Sequence, residues 1–301
     1  MAAVQIALYV AVVFCTAVTA AKLIRIARMP VHLRWDLYPI PHEKGRGSYG
    51  GSYYEEVDWW TKPRRYAFFA ELRAMASEIL FVHSLFRHNL SLWLVSYPFH
   101  IGLYSLVVFT LLIAAGGIMD LHGLEAAGGA IHYLTIVVGT AGWVLTTLGA
   151  AGLGLSRLVR SELRAATVRS DYVNLGIILA VSVAGFIAWL TVDPDYAVAR
   201  RLAGAMLTFR AAGEIPTAVQ VQVWLTAALL IYFPFTHMTH MFGKFFTYHS
   251  VRWEDHPNIR NSRIEKAVTE ALGYNLTWSA PHVRKGTWAD AATERKKPDN
   301  G

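Results

Sequence analysis

A single cysteine, Cys15, occurs in 301 residues. That excludes an internal disulfide and any four-cysteine iron–sulfur cluster held by this chain alone. If electrons move through this protein, the clusters belong to a partner. Charge is scarce too: 16% of residues are charged and 54% hydrophobic, against about 25% charged in soluble domains. Lys and Arg are missing altogether between Arg87 and Arg157. Strand-like alternation, internal repeats and a basic domain interleaved with aromatics are also absent, which removes the β-barrel, solenoid and nucleic-acid readings.

What is present is long apolar runs. A membrane-spanning helix needs about 20 mostly apolar residues, and five segments qualify, near 3–25, 94–118, 130–155, 172–192 and 218–243. In hydrocarbon only helices or closed barrels satisfy every backbone amide. The expected fold class is therefore all-α integral membrane, a five-transmembrane-helix bundle. The first run, VQIALYVAVVFCTAVTA, has no Lys or Arg before it, and Lys22, Arg25 and Arg28 follow it. It reads as a retained span rather than a signal peptide.

Basic residues crowd 28–87, 157–169 and the C-terminal tail. The positive-inside rule then puts the N-terminus outside and the C-terminus in the cytoplasm. The net charge of +7 is thus a topology signal. Residues 193–217 depart from the pattern: they carry Arg200, Arg201 and Arg210 on the expected outer side, partly balanced by Asp193, Asp195 and Glu214.

Two regions stand outside the spans. Within 29–93, Leu72, Met75, Ile79, Val82 and Phe86 recur near helical spacing, predicting a cytoplasmic interfacial helix whose polar face carries His83 and His88. The tail, 250–301, contains LTWSAPHVRKGTWAD; it reads as an extended segment draped over a partner, with disorder as the competing reading. The division expected is a membrane domain over 1–249, including loop 29–93, and a cytoplasmic partner-binding tail over 250–301.

Four histidines lie in or at the edge of predicted spans: His100, His132, His237 and His240. Polar groups at such depth mark function by default, with interhelical hydrogen bonding as the structural alternative. His100 follows Pro98 near the start of the second span, and His240 precedes Lys244 at the end of the fifth, so both fall within about two turns of the same boundary. Imidazoles at one level on two helices match the two axial ligands of a b-type haem. His237, about 60° from His240 on a common helix, competes for the iron or assists through a hydrogen bond. Gly139, Gly142, Gly149 and Gly152 on the third span either leave room for a flat ring or serve close helix packing.

The strings YPFHIGLY in the second span and FPFTHMTH in the fifth resemble the membrane cytochrome b (gamma) subunit of respiratory nitrate reductase. HLRWDLYPIPHE, GGSYYEEVDWW, YHSVRWED and TWSAPHV resemble a narrower branch, the gamma-type cytochromes that accompany heterodisulfide-reductase-like iron–sulfur proteins, including the membrane subunit of the sulfite-reduction-associated complex. The resemblance implies a five-helix, N-out haem b subunit of the cell inner membrane. Such a subunit passes electrons between the quinone pool and a cytoplasmic iron–sulfur partner.

Carried over residue by residue, the inner haem's ligands fall on His100 and His240, whereas the outer haem's fall on Thr110 and Gln222, which are not usual ligands. One haem is therefore expected, and two only if His132, with His122 nearby, is recruited. Asp120, His122, His132 and Glu214 are the outer-side candidates for a quinone site. A rival class is a haem-free transporter or scaffold in which the histidines hydrogen-bond or relay protons, but the paired helix breaks common in transporters are not found.

Overall fold

The structure is a computed structural model that describes residues 3–30, 40–43, 51–63, 66–124, 129–254, 256–280 and 286–293. Most of HLRWDLYPIPHE and the end of TWSAPHV lie outside these residues. The described residues are helical throughout, joined by turns and two isolated bridges, Glu43 to Tyr66 and Asn275 to Thr287. In chain order the helices are α1 (Ala3–Ala27), α2 (Phe68–Phe81), α3 (His83–His88), α4 (Leu90–Leu121), α5 (Ala130–Val159), α6 (Ser161–Ala165), α7 (Arg169–Thr191), α8 (Ala197–Leu207), α9 (Thr217–Tyr232), α10 (His240–Phe246), α11 (Arg263–Leu272) and α12 (Trp288–Thr293). Five stretches are long and apolar enough to cross a membrane: α1, α4, α5, α7 and Thr217–Phe235. The five-helix all-α fold expected from the sequence is the one observed.

The chain forms two compact units, Met1–Ala20 with Met75–Thr239 and Ala21–Ala74 with His240–Gly301. In the first, α4 packs on α5 and α8, α5 on α7, and α7 on α9. The spans turn large apolar side chains outward, among them Val13, Leu111, Val137, Leu148 and Leu190, as lipid-facing helices do. Near the N-terminus the fully buried Gln5 ties α1 to the segment after α8. Its amide donates to Arg210 O at 3.1 Å and accepts from Ala212 N at 3.2 Å.

The α4–α5 seam is built on glycine. A Cβ on Gly102 would lie 2.4 Å from Thr146 N, one on Gly149 2.5 Å from Phe99 Cα, one on Gly142 2.8 Å from Leu106 Cδ2 and one on Gly139 2.6 Å from Phe109 Cδ2. The contacts step through 99, 102, 106 and 109 on α4 against 149, 146, 142 and 139 on α5. That alternation of three and four residues is the signature of an antiparallel helix pair with small residues at the close points. The α5 glycines therefore serve helix packing, not room for a ring between α4 and α5.

Two span boundaries differ from expectation for local reasons. The helix of α4 begins at Leu90, because the Asn89 side chain accepts from Leu92 N at 3.1 Å and caps it; Pro98 is then inside the helix rather than at its start. The fifth span stops short. Pro has no N–H to continue an α-helix, and at Phe233–Phe235 the chain tightens into a 3₁₀ turn containing Pro234. Thr236 is extended, its hydroxyl donating to Phe233 O at 2.8 Å and accepting from Met238 N at 3.1 Å. His237–Thr239 form a second 3₁₀ turn and α10 starts at His240. His237 and His240 are thus on different local elements, and the 60° separation expected for one continuous helix does not apply.

In the second unit the buried Glu71 gathers three side chains. His42 Nδ1 lies 3.0 Å from its Oε2 and His249 Nε2 2.7 Å from its Oε1, while the Tyr66 hydroxyl donates to Oε2. His42 and Tyr66 stack, and Ala67 N donates to His42 O at 2.8 Å. Nearby, Ser52 donates to the buried Glu43 at 2.7 Å. Burial alone would raise the Glu71 pKa, but hydrogen bonds from Tyr66 and His249 and the charge of both histidines bring it below the ordinary carboxylate value of 4.5. In the tail, α11 is capped by Ser262, which accepts from Glu265 N at 3.0 Å, and Leu276 N donates to Gly286 O at 2.8 Å ahead of α12. The described part of the tail is therefore folded locally, not merely extended.

Two outcomes follow. Gly102→Ala and Gly149→Ala each overpack the seam and should cost ~1–3 kcal/mol, whereas Gly154→Ala, with nothing within 4 Å of the new Cβ, should gain ~0.5–1 kcal/mol; thermal melting in detergent reads the difference. A depressed Glu71 pKa stabilises the fold fully above pH 4.5, and that contribution is lost as pH falls through the lower folded-state value. Hydrogen exchange at the Ala67 amide should accelerate as pH drops below 4.5 beyond its intrinsic pH dependence, and Glu71→Gln should remove that excess while costing ~1–3 kcal/mol at pH 7.

Candidate functional site

His100 lies on α4 between two close contacts of the seam, at Phe99 and Gly102. Phe99 is buried against Gly149, so the direction of His100, about 140° from the centre of the 99–102–106–109 stripe, is away from α5. It shares this side of α4 with Tyr104, whose hydroxyl donates to Ile79 O at 2.7 Å. The His100 Nδ1 sits 2.7 Å from Ser96 O. A carbonyl only accepts, so Nδ1 carries the proton and Nε2 carries the lone pair. This is the tautomer of an Nε2 metal ligand held by a backbone carbonyl.

At the same end of this unit, α7 begins with Asp171, whose carboxylate accepts from Val168 N at 3.1 Å and closes the first turn. His237 is set against that turn. Its Nε2 lies 3.5 Å from Asp171 Oδ1 and its Nδ1 3.4 Å from Asn174 Nδ2. Two buried polar atoms in this region lack hydrogen-bond partners among the described residues, Asn174 Oδ1 and Arg157 Nε. A buried guanidinium N–H of this kind suits an anionic oxygen. His240, in the second unit, is exposed at the first position of α10.

The opposite end of α4 carries a different cluster. Arg200 on α8 is 3% exposed, and Gly116 and Gly117 make room for it: a Cβ on Gly116 would lie 2.6 Å from Arg200 Cδ, and one on Gly117 2.4 Å from Arg200 O. Its Nε donates to Asp120 Oδ2 at 3.3 Å and its Nη1 to Asp195 O at 2.7 Å, with His132 Nδ1 3.5 Å from Nη1. An arginine keeps its charge, so His132 Nδ1 faces it as the acceptor. The helix that presents Arg200 is held by Asp193, which accepts from Val198 N and Ala199 N, both at 2.9 Å. Burial raises the Asp193 pKa above its ordinary value despite these bonds, and burial pushes the Tyr196 phenol up to about 12.

Of the four outer-side candidates, Asp120 and His132 are brought together through Arg200. The other two are not. His122 is exposed, with Nδ1 2.9 Å from Ile118 O of its own helix. Glu214 is also exposed, and among the described residues only its backbone oxygen is engaged, by Arg201 at 2.7 Å. The two positions expected for outer haem ligands are turned inward on their own helices: Thr110 donates to Leu106 O at 2.9 Å and Gln222 to Thr226 Oγ1 at 3.0 Å. Sequence reasoning missed Arg200 as a site residue, although three arginines on an outer loop were the signal. It also missed the Glu71 cluster, for which no spacing rule gives a cue.

A comparison with curated proteins finds no match. The family model described as nitrate reductase gamma subunit matches residues 82–254, more than half of the chain, and it takes in both YPFHIGLY and FPFTHMTH. A five-span helical protein with those two strings in place and a family match across them belongs to the nitrate reductase gamma subunit family of membrane cytochromes b.

Proposed function

We propose that this chain is a haem b membrane subunit that moves electrons between the membrane quinone pool and a cytoplasmic iron–sulfur subunit of heterodisulfide-reductase type. The observation that carries the reading is the His100 imidazole, fixed by Ser96 O in the ligand tautomer, in a chain matched to the family across both histidine strings. His100 and His240 would hold the iron, and the buried Arg157 Nε suits the acidic edge of a porphyrin. A haem held by two imidazoles supplies reversible one-electron transfer with no open position for oxygen. His237, already set against Asp171 and Asn174, supports the site without ligating.

A single haem is favoured, because Thr110 and Gln222 stand at the second pair of positions. Oxidising a quinol releases two electrons and two protons, so a quinone site needs groups that accept protons. Asp120 and His132, joined by Arg200, are the pair best placed to do so, since a carboxylate and an imidazole are both able to take up a proton. His122 and Glu214 are at most peripheral to that cluster. The lack of Lys and Arg over 88–156 supports an N-out, C-in orientation in the cell inner membrane. Loop 29–93 and the tail 250–301 carry the strings that resemble the heterodisulfide-reductase-associated branch, and they are the regions assigned to grip the soluble partner.

Reduced-minus-oxidised absorbance of the purified protein tests the core of this reading: one haem b per chain is expected. His100→Ala and His240→Ala should each lose essentially all of the signal, while His237→Ala keeps part of it. A full haem signal in His240→Ala overturns the ligand assignment, and no haem in the intact protein returns the function to a transporter or scaffold. For the quinone site, Asp120→Asn should leave the haem spectrum intact and slow quinol-driven haem reduction by about 10²-fold, measured by stopped flow across pH.

A further inference from the structure

The second unit contains a groove that neither the haem nor the quinone proposal uses. Its wall on one side is the basic end of α1 and the residues after it, Ala21, Ile24, Arg25, Arg28, Met29 and Pro30. The other wall comes from α11 and α12, chiefly Val268, Leu272, Tyr274 and Trp288. The groove measures 1380 Å³, above the ~300–1,000 Å³ of ordinary small-molecule sites. Ile24, Met29, Leu272, Tyr274 and Trp288 are exposed large apolar side chains here, an unusual concentration for one surface.

Charge complementarity identifies the occupant. Residues 21, 24, 25 and 28 follow an i, i+3, i+4, i+7 pattern, so one face of α1 carries both apolar and cationic side chains into the groove. Among the described residues, Arg25 and Arg28 form no ion pair and no acidic side chain lines the groove. The nearby acids are engaged elsewhere: Glu265 by Asn261 N at 2.5 Å, Glu270 by Tyr274 at 3.1 Å and Asp290 by Thr287 N at 2.8 Å. The same helix is a membrane span through its preceding turns, so the groove opens at the level where a span gives way to headgroups. Trp288 and Tyr274, which line it, are of the residue types enriched at that level. An apolar trough with an unpaired diarginine at a membrane boundary matches an amphiphile with acyl chains and an anionic head.

We propose that this groove is a binding site for an anionic glycerophospholipid, with the acyl chains along Ile24, Leu272 and Trp288 and the phosphate at Arg25 and Arg28. It lies outside the residues that match the family model, 82–254, and is independent of haem binding.

Native mass spectrometry of the full chain, released from nanodiscs containing equal phosphatidylglycerol and phosphatidylcholine, tests the proposal. Phosphatidylglycerol should be retained preferentially. Arg25→Gln/Arg28→Gln should reduce that preference on the order of thirty-fold, at ~1 kcal/mol per arginine. Ala271→Trp/Ala291→Trp keeps both arginines but fills the trough, and it should also lose the bound lipid. Equal retention of the two lipids by the wild type overturns the site. So does a preference that survives filling of the trough, since arginines would then only attract bulk lipid. If the substitutions strip a co-purifying soluble subunit while lipid retention is unchanged, the groove is a protein interface and the proposal fails. Monodisperse elution of each variant confirms that folding is intact.

Discussion

The approach of α4 to α5 at Gly102 and Gly149 sets the rotation of α4 about its own axis, and two sites are placed by that rotation. With Phe99, Gly102, Leu106 and Phe109 committed to α5, His100 and Tyr104 must point to the other side. Further along the same helix, Gly116, Gly117 and Asp120 fall on the face that meets α8 and Arg200. A membrane offers no hydrophobic force to drive helices together, so this register relies on close van der Waals fit and on the few polar links available. A single methyl group at Gly102 would rotate or displace the helix that carries both the haem-ligand candidate His100 and the quinone-site candidate Asp120. The glycines therefore set where both candidate sites fall on α4.

The break in the fifth span follows the same constraint from the opposite side. Non-helical backbone at membrane depth is tolerated only where its polar groups find partners within the protein. At 233–239 the partners are local. The Thr236 hydroxyl takes Phe233 O and serves Met238 N, and Thr239 returns its hydroxyl to Thr236 O at 3.0 Å. The run FPFTHMTH is thus legible as a self-satisfied interruption: Pro234 ends the helix and two threonines replace the hydrogen bonds it forfeits. The consequence is that His237 and His240 are presented by separate turns, so each can take its own role.

The spans were readable because hydropathy over 20 residues is a strong, local signal, and the helices at 3–27, 130–159 and 169–191 fall where composition puts them. His100 was readable because a polar residue in such a run is conspicuous. The limits of the fifth helix were not, since an apolar run says nothing of how a proline inside it will be accommodated. The purpose of the α5 glycines stayed open for a related reason: a small-residue stripe fits a flat ring and a close helix equally well until the facing residues are known. The Glu71 cluster was invisible. Its members come from positions 42, 66, 71 and 249, and no periodicity relates residues that far apart. Two of its histidines nevertheless lie in IPHE and YHSVRWED, strings that carry the family resemblance, which gives those strings a physical reason to be specific.

Arg200 illustrates how a topological anomaly resolves into packing. The positive-inside rule concerns Lys and Arg in short loops, and three arginines between the fourth and fifth spans run against the proposed orientation. Arg200 is not in a loop: it belongs to α8, is 3% exposed and meets Asp120 on α4. A buried guanidinium is costly to desolvate and is kept only where geometry and neighbours offset the loss. Here a carboxylate, a backbone carbonyl and two glycines provide the fit. Arg25 and Arg28 at the end of α1 stand in contrast, since they have no acidic partner among the described residues and remain available to phosphate. One arginine is thus absorbed into the structure at the end assigned to the quinone, and two are left unpaired at the end assigned to the cytoplasm.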